Sequence, residues 1–194
     1  MIFAGEETFS HPVEEVWNAL HDLNLLERAL PGCRSISAIG DAQYAVALSL
    51  GVAAVKGEYE GRVKLTDIKR FAHYNIEGEG KGAPGFVRLR MDCWFESQEP
   101  GTLMRWKCDA TVGGLIASIG GKVLSGISKF MAQQFFKALR DELNEGTAGP
   151  AEHVVTTLGS VARHGSNTLG PARASWFTRF WRGVVRAFSR TSSN

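Results

Sequence analysis

Between Val55 and Leu65 the chain reads VKGEYEGRVKL, and no other stretch narrows its possible folds so far. Val55, Gly57, Tyr59, Gly61, Val63 and Leu65 alternate with Lys56, Glu58, Glu60, Arg62 and Lys64. A period of two with one charged face describes a strand in an antiparallel sheet that is wet on one side and covered on the other. The same alternation recurs at Tyr44-Val46-Leu48-Leu50, Tyr74-Ile76-Gly78-Gly80, Val87-Leu89-Met91-Cys93-Phe95 and Met104-Trp106-Cys108-Ala110-Val112. Gly40-Asp41, Ala83-Pro84-Gly85 and Pro100-Gly101 punctuate these runs as turns.

A one-sided sheet needs a cover. After Gly113-Gly114 the pattern becomes helical, and LIASIGGKVLSGISKFMAQQFFKALRDEL (Leu115–Leu143) places Ile116, Ile119, Val123, Ile127, Phe130, Phe135 and Leu139 near one side. A helix of that span is about 43 Å long, enough to cross a whole sheet. Residues 2–10 are expected to form a first strand. Ser10 is a predicted helix cap and Pro12 suits the first turn; Val13, Val16, Trp17 and Leu20 share one face. A second short helix should stop at Pro31-Gly32. The expected class is α+β, an antiparallel sheet curved around a long C-terminal helix. Gly57, Gly61, Gly78 and Gly80 fall where the sheet pattern calls for core side chains, and Gly120, Gly121 and Gly126 interrupt the covering helix. Such glycines mean either close backbone approach or strand bending, or side chains withheld to leave a cavity.

Nothing in the sequence forms a convincing catalytic constellation. His11, His21, His73, His153 and His164 lack the spacing of a metal site. The acidic pairs Glu6-Glu7, Glu14-Glu15 and Glu77/Glu79 are expected on solvated faces. GEGKGAPG (Gly78–Gly85) has neither the spacing of a phosphate loop nor a following helix. Cys33, Cys93 and Cys108 are odd in number and far apart, which suggests buried apolar groups in a reducing compartment rather than a disulfide framework. These readings favour a binding module over an enzyme, with no metal and no covalent cofactor.

Charge divides the 194 residues unevenly. Residues 1–145 hold 16 Lys and Arg against 19 Asp and Glu, a net of −3, whereas residues 146–194 hold 6 against 1, a net of +5. Residues 146–174 are rich in Gly, Ala, Ser, Thr and Pro and read as a flexible linker. Then comes SWFTRFWRGVVRAFSR, residues 175–190. On a helical wheel Trp176, Phe177, Phe180, Trp181, Val184, Val185 and Phe188 occupy one half, and Arg179, Arg182, Arg186 and Arg190 the other. At about 22 Å this helix is too short to span a bilayer, and its arginines forbid spanning. Lying flat on an anionic membrane suits it. Docking onto the protein body, a partner protein or nucleic acid fits less well: a docked helix rarely needs four arginines and no acid, and the body is acidic. No signal peptide and no apolar run long enough for a transmembrane helix is visible. A cytoplasmic protein, peripheral on the inner face of the membrane, is expected.

Five segments, in order, resemble the family of the carbon monoxide dehydrogenase G subunit (CoxG): HPVEEVWNALHDLNLLERALPGC (His11–Cys33), VKGEYEGRVKLTDI (Val55–Ile68), GKGAPGFVRL (Gly80–Leu89), DATVGGLIASIGGKVL (Asp109–Leu124) and MAQQFFKAL (Met131–Leu139). The resemblance covers residues 1–145. It implies the helix-grip, START-like (SRPBCC) architecture, in which a hydrophobic ligand is enclosed under the long helix. It also implies an accessory role in attaching a molybdenum CO dehydrogenase, or a related molybdenum hydroxylase, to the membrane. Three domains of function follow: a ligand-binding body (1–145), a linker (146–174) and a membrane-binding helix (175–190). The expected ligand is a respiratory quinone, menaquinone or ubiquinone, lined by Tyr44, Leu48, Tyr59, Tyr74, Met91, Trp106, Ile119, Val123 and Ile127. Tyr59 or Tyr74 is the expected hydrogen-bond donor to it. The competing expectations are a recruitment scaffold with a filled core, and an enzyme with an acid–base pair inside the cavity.

Overall fold

In the computed structural model, which describes residues 1–51 and 55–147, the alternating segments pair into one seven-stranded antiparallel sheet. The chain runs β1 (Ile2–Phe9), α1 (Val13–Ala19), α2 (Leu23–Ala29), β2 (Cys33–Gly40), β3 (Gln43–Leu50), β4 (Gly57–Lys69), β5 (His73–Gly82), β6 (Gly85–Gln98) and β7 (Gly101–Gly114). A 3₁₀ turn (Leu115–Ser118) and the long helix α3 (Gly121–Thr147) complete the described residues. The strand order is β1-β7-β6-β5-β4-β3-β2, so all neighbours except the β1–β7 pair are consecutive in the chain. This is the expected α+β sheet with a long terminal helix.

Three local expectations are corrected. Strand β2 was not signalled by alternation; it is the sheet's edge, and exposure of most of its residues removes the contrast between its faces. Ser10 does not cap α1: the residue at the cap is Pro12, which supplies no side-chain bond, and Glu14 and Glu15 complement the helix dipole in the first turn instead. Asp22 does cap α2, accepting from the Asn24 and Leu25 amides at 2.9 and 3.2 Å. Finally, the helix predicted from Leu115 is broken. Its first four residues form the 3₁₀ turn, seated on the β5–β6 hairpin by the Ile116 amide donating to the Pro84 carbonyl at 3.1 Å. Gly114 at φ +74° makes this corner, and a Cβ there would meet Gly85 Cα at 2.7 Å. The glycine pair Gly120-Gly121 then restarts the chain as α3.

Most of the core lies at one end. Val16, Trp17 and Leu25 of α1 and α2, and Phe136, Leu139 and Leu143 of α3, close over Phe9, Tyr74, Cys93, Phe95 and Met104 of the sheet. Trp17 meets Phe71, Tyr74 and Phe95 edge-on at 5.3–5.9 Å. Arg28 of α2 grips Glu142 of α3 through two bonds of 2.8 and 2.5 Å, and Arg140 of α3 reaches Glu7 of β1 at 2.8 Å. Glu7 therefore faces inward, against the expectation that both Glu6 and Glu7 are solvated.

Candidate functional site

Pairing aligns the inward residues of the strands into rows. One row, Tyr74–Cys93–Trp106–Gly5, crosses β5, β6, β7 and β1 under the C-terminal half of α3. Gly5 makes room for the indole, because a Cβ there would lie 2.6 Å from the ring of Trp106. Further along the sheet come Tyr44–Val63–Gly78–Leu89–Ala110 and Val46–Gly61–Gly80–Val87–Val112. Gly61 and Gly80 are direct cross-strand partners, so two adjacent inward positions carry no side chain.

The two kinds of row differ in burial. Tyr74, Cys93, Phe95 and Met104 are at most 5% exposed. Val46, Val63, Val87, Leu89 and Val112, also inward and central in the sheet, are only half-buried. At this end a second, smaller cluster forms from Val55, Tyr59, Ile116 and Leu124, with Leu48, Leu50, Val87, Val112, Ile119 and Ile127 half-buried against it. A Cβ at Gly80 would meet nothing nearer than the Glu60 carbonyl at 3.8 Å. The arrangement is a half-open apolar surface floored by glycine and roofed by the start of α3. Not every glycine serves that purpose. A Cβ at Gly61 would strike the Glu79 carbonyl at 2.7 Å, so Gly61 also answers to close strand approach. Gly120, Gly121 and Gly126 are exposed, with no atom near a would-be Cβ.

Of the expected lining residues, the structure brings Leu48, Tyr59, Ile119 and Ile127 together in the smaller cluster and puts Tyr74, Met91 and Trp106 in or against the larger one. Tyr44 is half-buried on the β3 side, and Val123 is 48% exposed. Leu124 occupies the core position expected of Val123, while Ile127 and Leu139 keep the inward positions expected of them. Leu50, Val87 and Val112 were visible in the alternation as inward residues of their strands; Leu124 was not.

Both tyrosine hydroxyls are already engaged. Tyr59 donates to the Val55 carbonyl at 2.9 Å, and Tyr74 lies against Cys93. Burial pushes the Tyr74 phenol well above its ordinary range and the Cys93 thiol up to about 12. Burial raises Cys33 and Cys108 as well, so none of the three thiols is poised as a thiolate. An unengaged interior donor is the indole N–H of Trp106, which has no hydrogen-bond partner among the described residues. The indole lies over Gly5 of β1 in the larger cluster, whereas the half-open apolar surface is lined by the smaller one and suits an apolar ligand.

Two concavities lie elsewhere. One, about 730 Å³, spreads over the outer face of the sheet and is lined by charged side chains. There Lys64, Glu77, Arg90 and Asp109 alternate in sign across successive strands, with Arg90 bridging Glu77 at 2.8 Å, as expected of a solvated cross-strand ladder. The other, about 290 Å³, is lined by Phe9, His11, Pro100, Arg140 and neighbours. Among the described residues no cluster of His, Cys, Asp and Glu could hold a metal ion, and no helix is long and apolar enough to cross a membrane. The expected linker and the membrane-binding residues Trp176, Phe177, Arg179, Phe180, Trp181, Arg182, Val184, Val185, Arg186, Phe188 and Arg190 lie outside the described residues.

Solved structures show the same fold. A conserved protein from Geobacillus kaustophilus is 34% identical, with a TM-score of 0.73 over 75% of this chain and 97% of its own. Proteins from Rhizobium leguminosarum (12% identity, 75% of this chain and 95% of theirs) and Thermus thermophilus (13%, 76% and 100%) each give a TM-score of 0.59. A comparison with curated proteins gave no match. The sequence matches the family described as the G subunit of carbon monoxide dehydrogenase (CoxG) over residues 5–144. That family's name ties it to CO dehydrogenase. With nearly all of the folded body matched, the chain belongs to the CoxG family.

Proposed function

We propose that this protein carries a hydrophobic ligand, a respiratory quinone such as menaquinone or ubiquinone, between the membrane and a molybdenum CO dehydrogenase or related molybdenum hydroxylase. The observation that carries the reading is the contrast on the sheet's inner face. Half of it is filled to exclusion of water, while the half containing Gly61, Gly78 and Gly80 keeps its aliphatic side chains partly open. Leaving apolar surface wet costs stability in proportion to its area, and a ligand that covers it recovers that loss. The body of the ligand would lie over the glycine floor. The bound quinone would accept the electrons released by the dehydrogenase. The residues of this chain would bind and orient it and keep water from it.

The basic amphipathic segment at residues 175–190 supplies the membrane tether in this reading, its four arginines adding about 4 kcal/mol on an anionic leaflet. Purification from the native host, organic extraction and mass spectrometry test the carrier. A stoichiometric isoprenoid quinone is the expected result; its absence would leave a recruitment scaffold. Vesicle flotation tests the tether: the double substitution Trp176→Ser, Trp181→Ser in the full chain should release the protein from anionic vesicles, and undiminished flotation would refute it.

A further inference from the structure

Among the described residues the most exposed large apolar side chain is Leu115, at 72%; Val123, eight residues on, is 48% exposed. Single exposed aliphatics are common on protein surfaces and carry no message. These two are different in their setting. Each is next in the chain to a buried member of the smaller cluster, Ile116 at 2% and Leu124 at 7%, so both stand at the end of the fold that holds the half-open apolar surface.

The segment that carries these two residues has charge of one sign. Between Asp109 and Asp141 the chain carries Lys122, Lys129, Lys137 and Arg140 and no acidic residue. Lys137 bridges Asp141 at 2.6 Å and Arg140 bridges Glu7 at 2.8 Å. Lys122 and Lys129 have no carboxylate partner among the described residues; both are exposed and, seven apart, lie on one face of α3. A lysine in the first turn of a helix works against the helix dipole, so Lys122 does not stand there to stabilise α3.

We infer that the 3₁₀ turn and the opening turns of α3 form a second membrane-contact face, on the folded body itself, that docks on an anionic phospholipid surface. Leu115 and Val123 enter the acyl boundary, and Lys122 and Lys129 meet lipid phosphates. The mouth of the apolar surface is thereby turned toward the bilayer, and a greasy ligand can pass without crossing water. The inference shares the bilayer with the proposed function but does not depend on the tail.

The test uses the full chain with Cys33→Ser and a polarity-sensitive fluorophore on Leu115→Cys. Ile68→Cys is the control, because Ile68 is also exposed, at 48%, on the far end of β4. On phosphatidylcholine–phosphatidylglycerol vesicles the probe at position 115 should brighten several-fold and be quenched by nitroxides in the acyl chains. The probe at position 68 should do neither. Lys122→Gln with Lys129→Gln should lower vesicle affinity roughly 30-fold. A chain that floats with vesicles while its probe at position 115 stays in water overturns this inference and leaves the tail reading intact. Insertion at position 115 that survives Trp176→Ser, Trp181→Ser supports it and counts against the tail as sole anchor. Brightening without vesicles that grows with protein concentration marks a second copy as the occupant and also overturns it.

Discussion

Phe95 and Met104 face each other across β6 and β7 at 5% and 3% exposure, roofed by Phe136 and Leu139 of α3. Further along the sheet, Val87 and Val112 face each other across the same two strands and remain half-open. Strands, pairing and side-chain chemistry are alike; what differs is the backing. At the first end α1 and α2 press on α3 and complete a closed core. At the second, the floor between β4 and β5 is glycine, and the roof is a helix start with exposed Gly120, Gly121 and Gly126. Stability is therefore invested at one end, and the other is free to give up tight packing to a ligand.

Substitutions at matched sites put numbers on that division. Leu139→Ala, at a fully buried position, should cost about 3–4 kcal/mol in urea unfolding. Ile127→Ala in the smaller cluster should cost about 1 kcal/mol, because a half-buried side chain has less to lose. Equal losses would abolish the distinction between the two ends.

The glycine floor sharpens it. Gly61→Ala should lose about 1–3 kcal/mol from its clash with the Glu79 carbonyl. Gly80→Leu should shift stability by no more than ~1 kcal/mol, since the position is open, yet eliminate co-purifying quinone. If Gly80→Leu keeps its full load of lipid, the floor is not where the ligand lies.

The smallest effect belongs to the clasp on the filled end. The hydrogen bond from Arg28 holds the Glu142 carboxyl below its ordinary range. A depressed carboxylate contributes stability above its unfolded pKa and loses it as pH falls through the folded value. The pair is largely solvated, so Glu142→Gln should cost no more than ~0.5 kcal/mol near pH 7. Mutant and wild type should converge as pH falls below the ordinary carboxylate range, as read in thermal melts at successively lower pH.

Much of this division was legible beforehand. Alternation gave β3 through β7, and Gly40-Asp41, Ala83-Pro84-Gly85 and Pro100-Gly101 gave their turns, because a strand's period is a property of consecutive residues. It missed β2, where edge exposure hides the pattern, and it carried the terminal helix back through Gly120-Gly121 to Leu115. Inward glycines pointed to a cavity, but alternation treats Gly57, Gly61, Gly78 and Gly80 alike. Of these four only Gly80 could carry a Cβ without crowding a neighbour, because that depends on what the neighbouring strand and helix bring.

The amino-acid sequence by itself determined a one-sided antiparallel sheet, a long covering helix and a basic amphipathic segment near the end of the chain. All are set by periodicities of two or 3.6 among neighbours. Only the tertiary structure decided which rows of that sheet are filled and which are open, that the Trp106 N–H is unpartnered among the described residues while the Tyr59 hydroxyl is engaged, and that Leu115 and Val123 stand exposed beside buried Ile116 and Leu124. Those outcomes rest on strand register and on where α3 begins, which join residues tens of positions apart and leave no local period to read.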